Sequence, residues 1–132
     1  MAARIATVAL VVPDYDAAIA FYRDSLGFSL LEDAPLGGGK RWVRVAPAIA
    51  PAAGTALLLA KADGAAQQAA IGNQVGGRVG FFLETDDFAR DHAAFTAAGV
   101  RFLEEPRHET YGTVAVFTDP FGNTWDLIEP SQ

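Results

Sequence analysis

The sequence predicts an α+β protein in which two βαβββ modules pair into a cupped mixed β-sheet with helices on its outer face. Three observations lead there. A faint internal repeat lays Val8–Tyr15 on Phe81–Phe88, Tyr22 on Phe95, and Gly27-Phe28 on Gly99-Val100. Each copy reads as a strand, a helix and three more strands. Each half, at about 60 residues, is short for an independent core, so pairing two sheets is the economical way to bury both.

Residues 5–12 are apolar and rich in β-branched side chains, a strand pattern that Pro13 closes. Asp14 is placed to cap a helix whose apolar stripe is Tyr15, Ile19, Tyr22 and Leu26. Gly27 ends it by supplying the left-handed conformation common at helix C-termini. Strands are expected at 28–32, 41–46 and 55–60, with Gly37-Gly38-Gly39 as a flexible hairpin loop. Residues 61–77, rich in Ala, Gln and Gly, read as a connector with a helical turn near 65–70. In the second copy Asp87 caps, Phe88, His92 and Phe95 form the stripe, and Gly99 terminates; Asp86-Asp87 thus serves the helix start rather than forming a carboxylate dyad. Strands follow at 100–104, 113–118 and 124–129, and Glu104-Glu105 reads as a solvated strand end before Pro106. The whole chain is taken as one domain, with module 1 at about 4–60 and module 2 at about 78–130.

With helices over one face of each sheet, the opposite faces should curl toward each other and form a cleft. On the first strand the bulkier Val8, Leu10 and Val12 should lie beneath the helix, leaving Thr7, Ala9 and Val11 for the cleft. Val43 and Val45 read as core, which turns Trp42 and Arg44 to the cleft side. Phe82 shares that parity, whereas Trp125 has the parity opposite to Asp126 and reads as core.

The chain has 132 residues, 51% hydrophobic and 20% charged, the composition of a well-cored globular protein rather than a disordered one. Its formal charge of -6 repels phosphate backbones and anionic membranes, so neither nucleic acid nor a membrane is an expected partner, and a cationic ligand is weakly attracted. No apolar run is long enough to span a bilayer, and the N-terminus lacks a basic region followed by a sustained apolar one, so a cytoplasmic location is expected. With no cysteine, disulfide and thiolate chemistry are excluded.

Three segments resemble the vicinal oxygen chelate superfamily, which includes glyoxalases, bleomycin-resistance proteins and extradiol dioxygenases. They are VALVVPDYDAAIAFYRDSLGF from Val8, GFFLETDDFARDHAAFTAAGV from Gly80, and VFTDPFGNTWDLIE from Val116, the last being the most specific. The resemblance implies the paired βαβββ fold, a cupped sheet around a small-molecule site, and a homodimer. In metal-using members it implies four His or Glu ligands, one on each of four cleft-facing strands. Carried over one by one, these positions fall on Thr7, on Leu58 or an immediate neighbour, on Gly80 and on Asp126. Only Asp126 is a good donor, so the standard centre is absent, no cofactor is expected, and glyoxalase-type isomerisation and extradiol cleavage are disfavoured. The alternative is a rebuilt divalent-metal site in which Asp126 recruits Glu84 or His108.

The candidate ligand-binding residues are therefore Thr7, Trp42, Arg44, Leu58, Gly80, Phe82, Tyr111 and Asp126, with aromatic walls and a few polar groups as a small-molecule pocket requires. An inward Asp126 needs a partner, for which Arg44 is the candidate; the pair is either a structural ion pair or a device that orients a polar ligand. His92 reads as a packed residue on the outer side and His108 as a loop residue able to reach the cleft mouth. The leading reading is a metal-independent protein that binds or sequesters a partly aromatic small molecule. Against it stand an enzyme with Asp126 as general base and a structural module whose cleft its own side chains fill.

Overall fold

A computed structural model describes residues 2–47 and 54–132. The chain divides into two compact units, Met1–Ile71 and Gly72–Gln132, with the boundary inside the expected connector.

In the first unit β1 (Thr7–Val12), β2 (Ser29–Gly37), β3 (Lys40–Ala46) and β4 (Ala56–Lys61) form a sheet in the order β1-β4-β3-β2. Only β1 and β4 run parallel. The Asp14 carboxylate accepts a 2.8 Å hydrogen bond from the Ala17 N–H and so starts α1 (Tyr15–Ile19), which continues as a π-helical stretch over Ala20–Ser25. Tyr15, Ile19, Tyr22 and Leu26 are all buried and, with Phe21 and Phe28, lie in the core with Leu10, Val12, Val43, Val45, Leu57 and Leu59. Burying these side chains is the main stabilising term, on the order of 2 kcal/mol each. Val8 departs from expectation: it has the core parity but is 39% exposed, near the start of an edge strand. β2 also runs past residue 32 to Gly37, because Pro35 is tolerated on an edge strand, where one row of N–H groups is unpaired in any case. The triple glycine makes the β2–β3 turn with positive φ at all three positions. α2 (Ala65–Ala70) follows in the connector.

The second unit repeats the topology. β5 (Phe81–Glu84), β6 (Arg101–Phe102), β7 (Arg107–Glu109), β8 (Gly112–Thr118) and β9 (Thr124–Pro130) are ordered β5-β9-β8-β6, with β7 also on β8 and only β5 and β9 parallel. α3 (Phe88–Ala97) is capped by Asp87, whose carboxylate accepts from the Arg90 N–H. Glu129 adds an acceptor at that end, taking the Phe88 N–H at 2.7 Å. The core is a run of rings in which Phe117 lies between Phe95, Phe102 and Trp125, and Trp125 stacks on Phe81. His92 packs against Phe88 and Phe102, as a helix-stripe residue should.

Two expectations in this unit are corrected. The segment expected as a loop around His108 is β7, hairpinned onto β8, because Thr110 and Tyr111 close a tight turn and the ladder continues outward from it. Glu104 is not a solvated strand end. The edge strand is interrupted between Phe102 and Arg107, and there Glu104 accepts the Val116 N–H at 2.9 Å and the Arg107 guanidinium at 3.0 Å. Its carboxylate thus supplies an acceptor where the regular ladder is broken.

The two helices also end differently. Gly99 closes α3 with Val100 N–H bonding to Phe95 C=O and Gly99 N–H to Thr96 C=O, the Schellman pattern. The first helix has one residue more between Tyr22 and Gly27 than the second has between Phe95 and Gly99. The π-helical stretch absorbs it: Leu26 N–H bonds five residues back to Phe21, and Phe28 N–H reaches Tyr22.

Candidate functional site

Strand parity defines a helix-free face on each sheet. In the first unit Ala9 and Thr7 on β1 share it with Leu58 on β4, Arg44 and Trp42 on β3, and Glu32 and Ala34 on β2. Arg44 is three-quarters covered; its Nε donates to Glu32 at 2.7 Å and its Nη1 to the Thr7 hydroxyl at 3.2 Å. Trp42, two residues along on the same face, is 38% exposed. Four of the expected site residues, Thr7, Trp42, Arg44 and Leu58, therefore do share one surface.

In the second unit the corresponding face carries Gly80 and Phe82 leading into and along β5, Asp126 on β9, and Val116 on β8. Phe82 and Asp126 are register partners on neighbouring parallel strands, so their side chains emerge side by side. Phe82 is 66% exposed, while Trp125 is buried as expected. Tyr111 is exposed at the β7–β8 turn, where it also interacts with the Arg107 guanidinium.

Arg44, the expected partner of Asp126, has partners within its own unit. Arg44 is engaged by Glu32 and Thr7, because a bulge at Leu31 brings Glu32 rather than its neighbour across from Arg44. Asp126 is half-buried, and its Oδ1 has no accessible surface and no hydrogen-bond partner. Burial pushes its carboxyl above the ordinary aspartate value; Arg107 opposes that shift and Glu104 adds to it. Glu104 itself is held below the ordinary carboxylate range, chiefly by the Arg107 hydrogen bond and also by the Val116 N–H. Arg107 and Glu104 are the charged neighbours of Asp126 that sequence reading missed. The signal available was the charged run Glu104-Glu105-Pro106-Arg107, where an edge strand breaks.

The four inherited ligand positions keep their internal symmetry. Ala9 pairs with Leu58 as Phe82 pairs with Asp126, so Thr7 and Gly80 stand two residues before equivalent points. Their chemistry does not suit a metal. Thr7 offers a hydroxyl engaged by Arg44, Leu58 offers hydrocarbon, and at Gly80 a side chain would start 3.1 Å from the Val75 methyl. His108 is across the ladder from Thr113, on the face opposite to Asp126, and its Nδ1 lies 3.3 Å from the Thr113 hydroxyl. Among the described residues no three His, Asp or Glu side chains converge as a metal site would need.

The turn before β9 explains why Val116–Glu129 carried the strongest likeness. Buried Asp119 accepts from the Phe121 and Asn123 N–H groups at 2.9 and 2.8 Å and from the Asn123 side-chain amide at 2.6 Å. Gly122 follows with positive φ, and Gly72 packs so closely on the Phe121 carbonyl that a Cβ there would lie 2.1 Å from it. The motif is a scaffold that sets the start of β9, and with it the direction of Trp125 and Asp126.

A sequence model of the Glyoxalase/Bleomycin resistance protein/Dioxygenase superfamily matches residues 4–127. The chain belongs to this superfamily. An uncharacterized protein from Shewanella frigidimarina (strain NCIMB 400) is 50% identical over 127 residues, covering 95% of this chain and 92% of its own. The solved structure of UcmS2 aligns with a TM-score of 0.83 and 31% identity, covering 97% of this chain and 98% of its own. That of TnmS3, an antibiotic binding protein from Streptomyces sp. CB03234, aligns with a TM-score of 0.77 and 32% identity, covering 98% of each chain. Superfamily membership establishes the scaffold and leaves the chemistry to the site. Among the described residues no helix is long and apolar enough to cross a membrane.

Proposed function

We propose that this protein is a metal-independent receptor that binds and sequesters a partly aromatic small molecule on the helix-free sheet faces. The observation that carries the reading is the pairing of exposed rings, Trp42 and Phe82, with half-buried polar groups on the same faces, Arg44 and Asp126. Large flat side chains kept out of the core cost solvation unless something covers them, and a few fixed polar groups among them give orientation. In this reading Thr7 and Leu58 belong to the binding surface of the first unit, and Gly80 and Tyr111 to that of the second. It is supported by the antibiotic-binding description of TnmS3, whose sequence is 32% identical, and by the poor donor set at the four inherited positions.

The protein is proposed to act in the cytoplasm, as a homodimer, which sedimentation equilibrium tests. Binding itself is tested by a thermal-shift and calorimetric screen of polycyclic aromatic antibiotics, with and without chelator, followed by chromatography of the released ligand. The expected result is a raised melting temperature, unchanged by chelator, with the ligand recovered intact. One equivalent of tightly held transition metal in protein purified without chelator overturns the metal-independent reading. The raised proton affinity of Asp126 favours one rival, an enzyme with this carboxylate as general base. Turnover of the bound molecule that Asp126→Asn abolishes decides for that rival.

A further inference from the structure

The open question on the second sheet is what satisfies Asp126. Its Oδ1 is sealed from solvent without a hydrogen bond, so the carboxylate meets its surroundings through Oδ2 alone. A carboxylate in that state is under-solvated, and a cation arriving at the remaining oxygen relieves it. The cation that acts on it within this unit, Arg107, is already held by Glu104 at 3.0 Å, by Glu109 at 3.4 Å and by Tyr111. Beside Asp126 in the ladder stands Phe82, two-thirds exposed, a flat apolar surface next to the acceptor. The chain as a whole carries a formal charge of -6, which raises the local concentration of cations and lowers that of anions.

We propose that Asp126 Oδ2 accepts a hydrogen bond from a protonated nitrogen of the ligand, and that an aromatic ring adjoining that nitrogen stacks on Phe82. The ligand class is thus an arylalkyl ammonium or amidinium compound. This rests on the receptor reading above and adds to it the charge and placement of one ligand group. Phe82 supplies contact area to any aromatic ligand. Asp126 discriminates, because a neutral or anionic head group leaves the carboxylate unpaired or repelled.

Three probes that share a ring and differ in head group test this: naphthylmethylamine, naphthylmethanol and naphthoate, titrated into the full chain by protein-observed NMR. The expected order is amine tightest, by roughly tenfold over the alcohol, with naphthoate weakest. In Asp126→Asn the amine should lose its advantage while the alcohol stays within roughly twofold of wild type. Phe82→Ala should weaken amine and alcohol alike and leave their ratio unchanged. Thermal unfolding of both variants confirms that they fold. If all three probes bind and the amine has no advantage, or keeps its advantage in Asp126→Asn, the Asp126 assignment falls while the receptor reading stands. If none of the three binds, and the antibiotic screen also finds nothing, both fall.

Discussion

The two units share a topology and differ in how they treat the charge on their helix-free faces. In the first, Arg44 lies within a continuous edge strand's reach: β2 runs nine residues, and the bulge at Leu31 sets Glu32 opposite the guanidinium. In the second, the edge strand is broken between β6 and β7, and the carboxylate nearest the break, Glu104, is turned toward the Val116 N–H and Arg107. Asp126 on the central strand is left with one oxygen buried and unpaired. The same fold thus closes a polar group on the strand beside a continuous edge and leaves one open on a central strand that the broken edge does not touch. The closed group contributes to stability; the open one costs stability and is available to a ligand.

The largest expected effect tests the scaffold on which that contrast rests. Asp119→Ala strands three donors in the turn before β9 and should lower stability by about 3 kcal/mol, read by chemical denaturation; a loss near zero would remove the turn from any role in setting β9. Next, Asp126→Leu removes the under-solvated carboxylate at similar volume and should stabilise the chain by about 1 to 2 kcal/mol. A destabilised Asp126→Leu protein would show that the second face is as closed as the first. Arg44→Met should act in the opposite sense, losing about 1 kcal/mol with the Glu32 contact, measured in the same denaturation series. If Arg44→Met also stabilises, the contrast between the units fails.

The smallest effect is in the pH dependence. Glu104 is depressed in the folded state, so its stabilising contribution is full above the ordinary carboxylate range and is lost as pH falls through the depressed value. Asp126 is raised, so its contribution has the reverse sense: present below the ordinary aspartate value and lost as pH rises through the raised one. Melting temperature followed across the carboxylate range should therefore fall less steeply toward acid in Glu104→Gln than in wild type, and more steeply in Asp126→Asn. Superimposable curves for the three proteins would contradict both assignments.

Much of this architecture was legible in the chain. Asp14 and Asp87 announced helix starts because a carboxylate before an apolar stripe has few other uses, and Gly27 and Gly99 marked the ends because positive φ is cheap only for glycine. Alternation along β3 separated Val43 and Val45 from Trp42 and Arg44, and along β9 it separated Trp125 from Asp126. The poverty of metal donors at Thr7, Leu58 and Gly80 was equally plain from residue type. Val8 and the segment at 107–109 were misjudged because period-two patterning gives the face of a residue, not whether anything covers it or whether a short polar run finds a ladder.

By itself, then, the amino-acid order determined the repeated βαβββ grammar, the facing of the strands and the chemistry on offer at each inherited position, since these follow from local conformation and period. Tertiary structure alone decided who pairs with whom. One extra residue became a π-helical stretch, one bulge gave Glu32 to Arg44, one break in an edge strand drew Glu104 to Val116, and Asp126 Oδ1 on the central strand was left without a hydrogen bond. The physical reason is that a hydrogen bond between strands depends on register, and a single residue inserted or omitted changes which side chains can meet.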